Sequence, residues 1–374
     1  MKFKVLIISF LLLLPASVVY ADGHGRPGTQ KIERSIAALP NVAVSICVDS
    51  GNVTVRGWDK NEVFARSSEV GRIELKGANS GMPSGGAAKV LVWLVDKHVG
   101  VEEKGGCDAF GDVELMVPRG AALYLQTGDG TIDVSDVASI FARSETGDIL
   151  VKKATHSVEA VSFSGEIAVA NSTGRILIKS VSGVLTAANL RPSDQSDCFE
   201  ASTISGDIEL NGVDHQLVTV KTANGKIDFS GPLAHQGRYN FNTTSSDVTL
   251  SLPENSSFRL NARVARDREV TSDFPLNLTI EDPVPVMPKK TPSVNPAPPA
   301  PPEPAAQPAP KAAPKSKQPV IVVVDPQEKT IKLKPVVLKT LYSLRRISAV
   351  HGNGDALITV ASFTGTIHLI DSGN

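Results

Sequence analysis

The residues of this chain best suited to chemistry are its acids. Asp129, Asp133, Asp148, Glu166, Asp207, Glu209, Asp228 and Asp247 all stand close to glycine-marked turns. Stacked carboxylates offer the oxygen ligands that calcium requires, and two acids ~5–10 Å apart suit glycoside hydrolysis. Against calcium, the β-roll pattern Gly-Gly-x-Gly-x-Asp-x-apolar-x is absent. Against hydrolysis, polysaccharide-cleaving β-coils build a cleft from long loops over one face. Here the sizeable insertions are confined to 76–88, 100–110 and 191–200. Aspartate at a turn has a plainer role, bonding the local backbone, and that is the reading adopted for these acids.

Other chemistry is scarce. The seven histidines (His24, His98, His156, His215, His235, His351 and His368) are scattered, with no His-Glu-x-x-His and no Cys-x-x-Cys. There is no Gly-x-Ser-x-Gly elbow, and Gly128-Asp-Gly130 reads as a tight turn. No catalytic residue, cofactor site or metal site is expected. The net charge is −1, with no basic stripe carrying interleaved aromatics, so no nucleic-acid surface is expected. The three cysteines, Cys47, Cys107 and Cys198, allow one disulfide and one leftover thiol. Cys107 and Cys198 both lie in loop-like text, GGCDAFG and RPSDQSDCFE, and are the expected pair; three free thiols are the alternative.

The elements that position these residues form a repeat. Gly130, Gly147, Gly165, Gly183, Gly206 and Gly225 mark successive units, Ser246 takes the place of glycine in the next, and the spacings run from 17 to 23 residues. Positions +2 and +4 after each mark are nearly always apolar: Ile132/Val134, Ile149/Val151, Ile167/Val169, Ile208/Leu210, Ile227/Phe229 and Val248/Leu250. Earlier copies start at Gly51, Gly71 and Gly111. Positions −7 and −5 are mostly apolar as well, and position −3 is a hydroxyl: Thr127, Ser144, Ser162, Thr203, Thr222, Thr243. Alternation at period two is the pattern of a half-buried strand. A fixed period of ~20 residues built from such strands predicts a stack in which each unit buries its apolar side on its neighbours. The glycines are read as turn residues supplying a permissive backbone, and Gly174 as a second corner within its unit. The expected fold is therefore all-β, a parallel β-solenoid of rungs with an N-terminal β-hairpin region. The +1 residues Asp207, Lys226 and Asp247 alternate in sign, which favours stacked neighbours.

Three stretches resemble a known family. DVELMVPRGAALYLQTGDGTIDV at 112–134 with its serial glycine turns, DVTLSLPENSSFRLNARVARDREVTSDFPL at 247–276, and the opening GNVTVRGWDKNEVFARSSEV at 51–70 are similar to the bacterial putative-adhesin domain of unknown function. The resemblance spans roughly residues 40–280 and implies an exported β-solenoid; it transfers no catalytic residues.

The ends of the chain complete the organisation. Residues 1–21 read as a secretory signal peptide: lysines, a short apolar run, then Val-Tyr-Ala before Asp22. The run is too short to span a bilayer, which needs about 20 residues, so no integral membrane segment is expected after cleavage. Residues 22–39 form a leader and 40–280 the solenoid domain. Residues 281–320 are a proline-rich linker that cannot build a core. Residues 321–374 return to the repeat: Gly365 has Ser362, Val360 and Ile358 before it and Ile367 and Leu369 after it, each in register. This detached rung is expected either to cap its own solenoid or to add to another molecule.

These features point to an exported, non-catalytic β-solenoid serving as a binding, adhesion or structural module of the cell envelope, periplasmic or at the cell surface. The expected partner is a cell-surface, glycan or envelope-protein ligand. The alternatives are an envelope-stress sensor or accessory protein tethered to a membrane partner, and a polysaccharide-active β-helix enzyme.

Overall fold

The computed structural model describes residues 31–67, 71–78, 86–95, 106–281 and 344–373. The expected signal peptide, the first half of the leader (22–30), the proline-rich tract from 282 and residues 321–343 lie outside the described residues. The chain divides into two compact units, Met1–Glu200 and Ala201–Asn374.

In the first unit the strands are β1 (Ile32–Ser50), β2 (Val53–Trp58), β3 (Glu62–Ser67), β4 (Arg72–Ala78), β5 (Ala87–Val95), β6 (Val113–Pro118), β7 (Ala122–Asp129), β8 (Ile132–Ser135), β9 (Ser139–Thr146), β10 (Ile149–Lys152), β11 (Ser157–Ser164), β12 (Ile167–Ala170), β13 (Arg175–Ser182) and β14 (Leu185–Leu190). They stack as two parallel sheets. Sheet A runs β6-β2-β8-β10-β12-β14. Sheet B runs β5-β1-β7-β9-β11-β13. Every rung contributes one strand to each, so the period-two pattern sends alternate residues of both sheets into one interior. Val53, Ile132, Ile149, Ile167 and Leu185 make one buried file in sheet A. Val44, Leu123, Ile140, Val158 and Ile176 make another in sheet B. The fold is a β-solenoid.

Its entry departs from simple stacking. The rung containing β5 and β6 lies on the side of β1 and β2 opposite to β7 and β8. Although β3 runs back antiparallel, β6 separates it from β2, and β3 also pairs with the first half of β1. The hairpin of this region is β4–β5, so Gly71 opens a hairpin arm rather than a rung.

The second unit, entered through β15 (Cys198–Ser202), contains β16 (Ile208–Val213), β17 (Leu217–Lys221), β18 (Ile227–Ser230), β19 (Arg238–Thr243), β20 (Val248–Leu252), β21 (Phe258–Ala265), β22 (Val270–Ser272), β23 (Asn277–Glu281), β24 (Leu344–His351), β25 (Ala356–Ser362) and β26 (Ile367–Asp371). Its sheet A is β16-β18-β20-β26-β22, all parallel. Its sheet B begins β17-β19-β25-β21 in parallel and ends with antiparallel β24 and β23. Ile208, Ile227, Val248 and Ile367 are successive neighbours in one buried file. Here larger rings fill the interior: Phe229, Tyr239 and Phe241 pack with centroids 5.5–6.4 Å apart. Burial pushes the Tyr239 phenol up to about 12 while its oxygen accepts the Ala234 N–H.

The glycine corner is set by space. An added Cβ on Gly147 would stand 2.2 Å from the Gly130 carbonyl oxygen, and one on Gly225 would stand 1.9 Å from that of Gly206. Each glycine thus sits directly against the backbone of its neighbour in the stack. The second corner is a column of left-handed residues, Asp136, Lys153, Asn171 and Asn189, with φ between 51° and 61°. The N–H groups of Asp136, Lys153 and Asn171 donate to the next rung at 2.9–3.1 Å. Gly174 belongs to a third bend, leading into sheet B; a Cβ there would meet the His156 carbonyl at 1.7 Å.

Candidate functional site

The hydroxyl and acid columns bind the stack to itself. The −3 hydroxyls of Ser162, Thr222, Thr243 and Ser362 donate to the corner carbonyls of Gly147, Gly206, Gly225 and Ser246 at 2.8–3.4 Å. The +1 carboxylates accept the +1 N–H of the adjoining rung: Asp148 from Glu166, Asp207 from Lys226 and Asp247 from Thr366, at 2.7–2.8 Å. These side chains fill the gap in the ladder at the bend. Their contribution is this bond rather than an alternation of sign. Asp133 is engaged otherwise, by Arg56 at 3.0 Å, and that guanidinium holds its carboxyl below the usual range. Among the described residues, no group of three or more His, Cys, Asp or Glu is placed to hold a metal ion.

The cysteine expectation is corrected. Cys47 is joined to Cys107, and Cys198 carries the free thiol, in place of a Cys107–Cys198 bond. The reason is register. Phe110 bridges Ser50, Gly111 N–H donates to Ser50 and Val113 pairs with Val53. The segment entering β6 therefore runs alongside β1, which sets the two cysteines side by side with Cα atoms 4.6 Å apart.

The outer surface of sheet B in the first unit carries a pair of exposed rings. Tyr124 on β7 faces Phe141 on β9; Glu159 on β11 and Leu177 on β13 continue the column. Ser139, Ser157 and Arg175 form the column beside it. The Tyr124 and Phe141 rings are 6.3 Å apart at 39°, and are 52% and 38% exposed. With their neighbours they line a shallow depression of about 260 Å³. The inward positions flanking the rings, Leu123, Leu125, Ile140 and Ala142, are buried, so strand alternation turns both rings outward. In the glycine register both rings stand at −6, between the two inward positions. An aromatic at that outward position in two successive units, in a chain with only 5% aromatic residues, is the signal that points to this face.

Comparison with known proteins gives a family. The model of the Toastrack DUF4097 family matches residues 33–276. No protein of curated function matches the chain. Among solved structures, a protein described as a putative adhesin from Parabacteroides distasonis ATCC 8503 is 11% identical, with a TM-score of 0.39 over 60% of this chain and 90% of that one. A protein described as a putative cell adhesion protein from Clostridium sporogenes ATCC 15579 is 7% identical, with a TM-score of 0.18 over 91% of this chain and 100% of that one.

Proposed function

This chain belongs to the Toastrack DUF4097 family, and on that premise we propose that it is an exported, non-catalytic binding module of the cell envelope whose ligand is a glycan held on the outer face of sheet B. The observation that carries this reading is the Tyr124–Phe141 pair, two exposed rings in register over a depression. Aromatic faces pack against the apolar faces of sugar rings, while the hydroxyls of Ser139 and Ser157, with Glu159 and Arg175, offer hydrogen bonds to the sugar's own hydroxyls. Binding groups on a rigid ladder lose little freedom when the ligand arrives, and a repeating ligand adds weak contacts multivalently.

Three features support the remaining terms. The Cys47–Cys107 bond suits an oxidising compartment outside the cytosol, as does the N-terminal apolar stretch. The corner acids Asp148, Asp207 and Asp247 already accept backbone N–H groups, a structural role rather than a catalytic one. The test is a glycan array and whole-cell binding assay on the native protein and on Tyr124→Ser/Phe141→Ser. Both substituted residues are exposed, so melting is expected to stay unchanged while glycan binding falls at least ten-fold, about 1.4 kcal/mol. Equal binding by the two proteins refutes this face, and a single membrane protein captured in place of glycan favours the sensor.

A further inference from the structure

The last rung of the chain does not occupy the last place in the stack. β25 lies between β19 and β21, and β26 lies between β20 and β22. The chain therefore makes the β19–β20 rung, leaves a place one rung wide, makes the β21–β22 rung, and returns after residue 343 to fill that place. β24 then lies on the far side of β21, so that β24 and β25 straddle it. The loop joining them crosses the start of β21, where Ser257 Oγ accepts the Asn353 N–H at 2.9 Å.

We propose that this rung is exchangeable between molecules, and that its second host is the same place in another copy of this chain. The place is specific for this rung's sequence. Ile358 and Val360 sit between Tyr239 and Phe241 on one side and Leu260 and Ala262 on the other. The corner is matched too: Ser362 donates to the Ser246 carbonyl at 2.8 Å and the Asp247 carboxylate accepts the Thr366 N–H at 2.7 Å. A second copy presents an identical set of partners.

The connection argues that self-insertion is not its only purpose. Glu281, at the end of β23, is paired with Arg346 near the start of β24. Antiparallel neighbours can be joined by a turn of about two residues, yet residues 282–343 intervene. A longer loop lowers the effective concentration of the rung at its own site and extends its reach. The family match ends at residue 276, so the strands bordering the place belong to the matched domain and the rung that fills it does not. Reciprocal exchange gives a closed dimer, and head-to-tail exchange gives an open chain of copies.

Asn240 and Thr359 are paired, half-buried residues on the outer face of β19 and β25. In a full-length Cys198→Ser background, one preparation carries Asn240→Cys and another Thr359→Cys. They are mixed at high concentration, incubated and oxidised. Exchange is expected to give a disulfide-linked heterodimer in several-fold excess over a control mixture in which Thr219→Cys, one rung away on β17, replaces Asn240→Cys. The double variant Asn240→Cys/Thr359→Cys, kept dilute, is expected to close within one chain. Heterodimer no greater than the control, with the dilute double variant closed, confines the rung to its own chain and overturns the proposal. A dilute double variant that stays reduced removes the rung from its place and overturns it equally. Neither readout depends on glycan binding, so the two proposals fail separately.

Discussion

Two kinds of residue define the corner, and they do so for different reasons. Several −3 hydroxyls spend their donors on neighbouring corner carbonyls, as Thr243 does to Gly225 at 3.1 Å, while those of Ser144 and Thr203 are buried without a hydrogen-bond partner. The glycines are needed for the space they leave. Gly147 lacks the left-handed φ of Gly165, at 145°, yet its missing Cβ would lie 2.2 Å from the Gly130 oxygen. Gly147→Ala must therefore push two rungs apart along a shared ladder. The substitution is expected to destabilise the protein by ~2 kcal/mol or more, in the range of overpacked cores. Glu145→Ala, at an exposed outward position two residues earlier, is expected to stay within ~0.5 kcal/mol. Chemical denaturation of the two variants beside the native protein checks this; equal stability of Gly147→Ala removes the steric account of the repeat.

At the scale of the element, strand pairing fixes which rungs touch, and the disulfide follows from it. Gly51 and Gly111 open neighbouring rungs, and Cys47 and Cys107 each stand four residues before their glycine. Loop-like wording around Cys107 and Cys198 obscured this, because local composition says where a chain bends and not what lies beside it. Removing the bond by Cys47→Ser/Cys107→Ser is expected to cost about 2–4 kcal/mol, since it closes a long loop that includes β2 to β5. Alkylation of the native protein followed by peptide mapping is expected to label Cys198 alone; label on Cys107 refutes the pairing. The same distinction explains what could be read directly. Ile149, Ile167, Ile208 and Ile227 declare inward strands because period two allows no other face. The order of rungs at either end is not declared in this way. The registers at Gly51, Gly111, Ser246 and Gly365 are locally alike, so nothing in them says that β6 stacks outside β2 or that β26 enters between β20 and β22. Tyr124 and Phe141 are hard to read for a related reason: they stand in the outward column, where the repeat imposes no residue type, between two buried columns that it does constrain.

For the whole molecule, the consequence is that the β25–β26 rung is interior to the second unit. Ile358, Val360, Ile367 and Leu369 are fully or almost fully buried. Ending the chain at residue 281 would uncover Val248 and Leu250 on β20 and Leu260 on β21, and would leave the facing edges of β19, β20, β21 and β22 unpaired. Stability in a stack is close to a sum of neighbouring interfaces, so both interfaces of the β25–β26 rung are lost together, and with them the β24 pairings to β21 and β23, against the ordering entropy recovered from the missing strands. A net loss of ~3 kcal/mol lowers the melting temperature by roughly 6–12 °C for a domain of this size, and the open edges are expected to promote self-association. The decisive measurement adds a synthetic peptide of residues 344–371 to the shortened protein and follows melting and light scattering. Recovery of the melting temperature with suppression of scattering shows that the rung can enter its place in trans. A shortened chain that melts like the intact one and stays dispersed means that β21 and β22 close directly onto β19 and β20, and that the tail is dispensable to the stack.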